Sequence, residues 1–322
     1  MRKEKDYHLY ISSCHENGGI YHCSFNTREG IKVIDKTALD RPMYTVIYKD
    51  RLYVLLRAPF GNSEESGIIY FDIAEDGHLY NKSEMISTRG RVGCHLCVDN
   101  DHIYAVNYIS GSVVLLRDKL VQHSGQSINP FRQEGPHTHF VSVTPDDEYV
   151  CVTDLGTDKI ITYDKNLNFV EETEVKQGNG PRHLAFSEDG RFVFCVNELS
   201  SSITLYMYQK GRFTYIDENS TLPKDFCGEN TAAAIRCVGK DVYVSNRGHN
   251  SIAQFEFAEN KLSLQSIFSC HGKSPRDFEI IDKKVICTNE SDNSVTVLDA
   301  LDGTLKQKIE IEKALCVSYQ SI

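Results

Sequence analysis

The sequence predicts an all-β protein: a seven-bladed β-propeller whose first blade is closed by strands from both chain ends. Three observations predict it. Five segments share one pattern of short apolar runs, their spacing is nearly constant, and the last run of the chain has no continuation of its own. A period of 40–50 residues with several strands per unit marks a propeller.

The clear segments are His95 to Leu116, His139 to Asp164, His183 to Tyr208, Ala234 to Phe257 and Asp277 to Ala300. Each has an apolar run, a polar turn, a second run ending in Asn or Asp, a polar loop and a third run. Runs of four to seven residues, rich in Val, Ile, Tyr and Phe and bounded by turn residues, are strands. The second runs end at Asn107, Asp154, Asn197, Asn246 and Asn289, at intervals of 47, 43, 49 and 43 residues. Two fainter copies precede them: His8 to Phe25 with Ser13 at the repeat position, and Tyr44 to Ile73 with Leu56 there. Seven units over 322 residues average 46. The tail from Ala314 to Tyr319 reads as the innermost strand that the first unit lacks, so it should close the ring and leave no open edge. No linker divides the chain, and residues 1–322 are expected to form one domain. There is no Trp, hence no WD dipeptide.

Composition narrows function. With 35 Lys and Arg against 45 Asp and Glu the net charge is −10, and no long basic run appears, so nucleic acid is not an expected partner. No stretch approaches 18 apolar residues, and the charged start is not followed by an apolar leader, so neither a membrane span nor a secretory signal is expected. Several of the eleven cysteines sit inside apolar runs, as in Val150-Cys151-Val152. That pattern suits free thiols in a reducing compartment, and a cytoplasmic location is expected.

Antiparallel order brings the start of each first strand and the end of each second strand to the same mouth of the central channel. Strand starts read Cys94-His95, Pro136-His137-Thr138-His139, Pro181-Arg182-His183, Ile235-Arg236 and Pro275-Arg276-Asp277; strand ends read Asn107-Tyr108, Asp154, Asn197-Glu198, Asn246-Arg247 and Asn289-Glu290. The opposite mouth receives ordinary turns such as Glu188-Asp189-Gly190. A concave excess of Arg and His in an acidic chain favours an anionic ligand, and guanidinium binds two oxygens of a phosphate or carboxylate at once. Glu198 and Glu290 are candidate general bases, with His183 and His139 as competitors. The blander reading of the repeated Asn and Asp is a backbone-bonding role in each blade. Cys94-His95-Leu96-Cys97 has no second pair at zinc spacing, so no metal is expected there.

These residues resemble the seven-bladed propeller lactonases of the bacterial 6-phosphogluconolactonase type. The resemblance runs through Gly180-Pro181-Arg182-His183-Leu184-Ala185-Phe186, Val196-Asn197-Glu198-Leu199, Val244-Ser245-Asn246-Arg247-Gly248-His249 and Ser274-Pro275-Arg276-Asp277-Phe278, and covers essentially the whole chain. One departure is Ala234, where members often carry an acid. The resemblance implies hydrolysis of a phosphosugar lactone in carbohydrate metabolism, in the pentose phosphate pathway, without cofactor or metal. Glu198, His183, Arg236 and His139 would be catalytic. Arg182, Arg276, Arg247, His95, His137, Asp154, Asn197, Asn246 and Glu290 would bind substrate. The expected partner is a small anionic sugar lactone, and the expected state a monomer or weak homodimer. Alternatives are a carboxymuconate-type cyclase, a Ca²⁺-dependent sugar lactonase using Asp154, Asn197, Glu198, Asn246 and Glu290, and a non-catalytic binding propeller.

Overall fold

A computed structural model describes residues 5–57 and 63–322. Seven antiparallel sheets follow one another along the chain. The innermost strands are Ala314–Ser321, Pro42–Tyr48, Gly93–Asp99, Thr138–Val143, Pro181–Phe186, Thr231–Val238 and Pro275–Ile281, and each packs against its neighbours around the ring. The C-terminal strand pairs with Tyr7–Ser13 and completes the first blade, as the unfinished last run predicts. The family of contacts thus closes between the seventh, first and second blades. The second blade is the irregular one: both Leu79–Tyr80 and Ile86–Arg91 pair with its third strand.

The core is divided among the gaps between blades. Phe194, Val196, Ile235 and Val244 fill the gap between the fifth and sixth. Leu9, Ile11, Ile286 and Val297 fill that between the seventh and first. Alternation along each strand sends successive side chains to opposite sheet faces, so each blade feeds two wedges. Cys151, Cys195 and Cys287 belong to these wedges and are fully buried, and burial pushes their thiols up. All eleven cysteines are free. Among the described residues no helix is long and apolar enough to cross a membrane.

One irregularity repeats and positions the site. Near the mouth every innermost strand slips register against its neighbour. In the fifth blade Pro181 faces Asn197 while His183 faces Val196, leaving Arg182 as the extra residue. In the seventh the extra residue is Arg276, in the fourth His139, in the third Cys94. A bulge re-aims one side chain and ends regular pairing. Here it turns one residue per blade towards the mouth.

Candidate active site

The register sorts the channel wall into layers. The bulge layer holds Leu315, Met43, Cys94, His139, Arg182 and Arg276, with Ala233 at the sixth blade. The layer beneath carries Cys316, Tyr44, His95, Phe140, His183, Ala234 and Asp277 in the same blade order. Four of these are rings packed together: Tyr44 tilted against His95 at 4.3 Å between centroids, His95 tilted against Phe140 at 4.5 Å and edge-on to His183 at 5.1 Å. This ring plate floors the site.

Above it lies a cavity of about 370 Å³, lined by Arg57, Cys94, Tyr108, Arg132, His139, Glu198, Arg247 and Arg276 among others. Glu198 is the hub. Its carboxylate accepts from Arg182 Nε at 2.9 Å and Arg132 Nη2 at 2.6 Å, and lies 2.8 Å from Arg247 Nη2. Burial opposes its charge, but Arg247 and Arg182 overcome that and hold its pKa well below the usual carboxylate range. Arg182 is tied further to the carbonyl of Ala233 at 2.7 Å. Arg276 donates to Glu290 at 3.2 Å. Together with these direct partners the cavity holds five guanidinium groups and two carboxylates, a formal charge of +3 in a chain of −10.

Several of these side chains keep one polar atom without a partner among the described residues. The Nε of Arg57, Arg247 and Arg276 and the Nδ1 of His139 are buried and make no hydrogen bond among the described residues. Buried polar atoms are almost always bonded, so four bare ones around a single cavity call for an explanation. Burial first, and the neighbouring Arg276 as well, push the pKa of Arg57 down. A guanidinium does not give up its proton in proteins, so the consequence is mutual repulsion that a bound anion would relieve. Burial, then Arg182, depress His139 far below the ordinary imidazole value, and its ring is neutral at pH 7.

Not every expected residue reaches this cavity. Arg236 is corrected: the sixth inner strand begins at Thr231, so Ala232 faces Asn246 and Arg236 lies two residues below Ala234 on the same face. There it is paired with Asp277 at 2.7 Å and Glu279 at 2.8 Å. Asp154, Asn197 and Asn246 are fully buried and bonded within or between blades, not exposed at the mouth. Asp154 accepts from the backbone N–H groups of His137, Gly156 and Thr157 and bonds His123. Asn197 donates to Ser202 and Thr204, Asn246 to the carbonyl of Thr221. A single Ca²⁺ site from these residues does not form. His95 and His183 belong to the floor, and burial drives both down in pKa, His95 to about 3. His137 stacks on Tyr108 at 4.5 Å and bonds its carbonyl, which places it behind the wall.

Two cavity residues, Arg57 and Arg132, were not anticipated, and Tyr108 was placed at the mouth without a role. Arg57 follows Leu56 as Arg247 follows Asn246, so the repeat frame carried its signal. Tyr108 occupies the same place after Asn107. Arg132 comes from the irregular stretch before the fourth blade, where no repeat position exists to mark it.

The model of the family "Lactonase, 7-bladed beta-propeller" matches residues 8–319. The chain belongs to the seven-bladed β-propeller lactonase family. An uncharacterised protein of Staphylococcus epidermidis is 34% identical, with 92% of this chain and 93% of that protein covered. A Lactobacillus plantarum protein of solved structure is 30% identical with a TM-score of 0.87, over 98% of this chain and 99% of the other. The periplasmic gluconolactonase of Pseudomonas aeruginosa has the same fold, with a TM-score of 0.87 at 23% identity over 98% and 99% of the two chains. For this lactonase-family chain the layered channel explains which repeat positions face the cavity.

Proposed function

We propose that the protein hydrolyses an anionic sugar lactone, with 6-phosphogluconolactone as the first substrate to try, at the arginine-lined mouth. The observation that carries this reading is the set of unpartnered buried groups on Arg57, Arg247, Arg276 and His139 around one cavity. A dianionic phosphate matches the +3 charge and the bidentate geometry of guanidinium. Family membership and the gluconolactonase of the same fold support a lactone as the reacting group.

In this reading Arg276 and Arg57 hold the phosphate. Arg247, oriented by Glu198, stabilises the oxyanion formed when water attacks the lactone carbonyl. One preorganised donor of this kind supplies about 3–4 kcal/mol. His139 is the base: its neutral Nδ1 takes a proton from water, then returns it to the leaving ring oxygen. Its low pKa makes it a weak base in the free protein. Part of that depression comes from Arg182 and Arg276, and an anion bound between them offsets it. Glu198, gripped by three guanidiniums, is a positioning residue. The lactone opens to a hydroxy acid with one water consumed and one net proton released, and no redox partner is involved. The eleven free cysteines support a cytoplasmic setting, and the phosphosugar substrate a role in the pentose phosphate pathway.

The experiment is acid release by the purified protein on freshly prepared 6-phosphogluconolactone, followed by pH-stat. Turnover well above spontaneous opening is expected. No turnover of either the phosphorylated or the plain gluconolactone would overturn the reading.

A further inference from the structure

A second cluster lies across the gap between the first and second blades. His8 is on Tyr7–Ser13, His22 on Gly19–Asn26 and Asp35 on Gly30–Ala38, while Asp76, Gly77 and His78 form a turn of the second blade. His8 is five residues from Ser13, the mouth end of its strand, or about 17 Å at the rise of a strand. This place is therefore separate from the lactone site.

His22 is 1% exposed, and its ring is fixed on both sides. Tyr10 stacks on it at 5.5 Å and 17°, and Tyr10 in turn donates to the carbonyl of Gly77 at 2.8 Å. Gly77, at φ +83°, packs so closely that a Cβ there would lie 2.4 Å from both His22 Nε2 and His8 Nδ1. His22 Nε2 is hydrogen-bonded to His8 Nδ1 at 3.0 Å. Its other nitrogen, Nδ1, is buried without a hydrogen bond among the described residues and faces Asp35 Oδ1 at 3.6 Å, an oxygen that is equally bare. His78 Nε2 approaches the other Asp35 oxygen at 3.6 Å, while its Nδ1 lies 3.2 Å from Asp76.

From this geometry we infer a binding site for a borderline divalent transition ion, Zn²⁺ foremost, held by His22 Nδ1, His78 Nε2 and the Asp35 carboxylate. The three ligand atoms lie within 4.8 Å of one another. Zinc with bonds of about 2.0–2.1 Å spaces tetrahedral ligands about 3.4 Å apart, so each 3.6 Å pair needs a shift of a few tenths of an ångström, and the widest pair closes by at most about 1.4 Å through movement of the half-exposed His78. Each imidazole has an outer partner on its far nitrogen, His8 for His22 and Asp76 for His78, as ligating histidines do. Two imidazoles favour zinc over calcium or magnesium. Asp35 and His78 are 40% and 49% exposed, which leaves a path for the ion and a fourth position for water. The ion would bolt the blade made from both chain ends to its neighbour. A proton on His22 Nδ1 facing Asp35 is the competing arrangement, and it needs no cation.

The test is calorimetric titration of the chelator-stripped full chain with Zn²⁺ under reducing conditions, alongside thermal unfolding with and without Zn²⁺. Binding of one equivalent and a raised unfolding midpoint are expected. His78→Ala and Asp35→Asn, both at partly exposed positions that keep the fold, should each weaken binding about tenfold or more and remove the thermal shift. Cys227→Ser, at an exposed thiol, should leave both unchanged. No uptake, or uptake that survives both site substitutions, would overturn the inference.

Discussion

The channel contains arginines at two depths, and they do different work. At the mouth, five guanidiniums meet two carboxylates, and three retain a bare Nε. Deeper, Arg236 alone meets two acids, Asp277 and Glu279, and stands over the ring of Phe278 at 5.7 Å. The deep arginine is saturated and serves the structure. The mouth arginines are under-compensated, which is what the proposed anion site requires. The difference is the local ratio of acids to bases, which the presence of arginine in the channel does not reveal. Glu279 shows the same contrast from the acid's side: burial raises it to about 7 despite Arg236. Glu198 at the mouth is driven far below the carboxylate range by its excess of cations.

The largest effect should come from acid, which acts on the buried histidines of the mouth and of the floor beneath it. His95, His139 and His183 are buried with pKa values depressed below the unfolded value of about 6.5. Below that pH the unfolded chain binds protons that the folded one refuses. Their contribution is therefore present above about pH 6.5 and is lost as pH falls towards the folded values. Three such groups lower stability by up to about 4 kcal/mol per pH unit between roughly pH 6 and pH 4. Urea unfolding across that range should show an uptake of about three protons per chain from these histidines, beyond that of the carboxylates and of His22, which burial lowers to about 4. A flat profile there would mean that the histidines are charged or solvated in the fold.

His139→Asn should lower kcat by about 10²–10⁴ with KM little changed, since it removes a base and leaves the anion contacts. Glu198→Gln should cost about 3–5 kcal/mol in unfolding free energy, because three guanidiniums lose their counter-ion. That loss should shrink when phosphate is added, and a loss indifferent to phosphate would count against an anion-ready mouth. Arg276→Ala should raise KM for a phosphorylated lactone about 10- to 150-fold, the worth of hydrogen bonds to a charged group, with a smaller change for an unphosphorylated one. Arg236→Met should leave KM at the wild-type value, which sharpens the contrast between depths. An equal rise in both variants would erase it.

How much of this was written in the sequence depends on the repeat. Strand order, blade count and closure by Ala314–Ser321 follow from spacing and from a run without a continuation, because each blade repeats the same alternation. Glu198, Arg247, Arg182 and Arg276 hold fixed places relative to the repeated Asn, so they too were legible. Arg57 was readable by the same rule once Leu56 is taken as the second blade's counterpart. Arg236 was misplaced because Ala232-Ala233-Ala234 carries no mark of where pairing begins, and a slip of two residues keeps the face while changing the depth. Arg132 was invisible because a connecting loop has no periodicity. The repeated Asn and Asp face inward because their side chains satisfy turn and backbone groups inside each unit.

The most direct test of the mouth as an anion site needs no turnover at all. Titrating the wild-type protein with 6-phosphogluconate and with gluconate, at low and high salt, compares products that differ only in the phosphate. At least about tenfold tighter binding of the phosphorylated acid is predicted, with the advantage shrinking in salt and disappearing in Arg276→Ala. Equal affinities for the two acids, or a preference untouched by Arg276→Ala, would contradict the account.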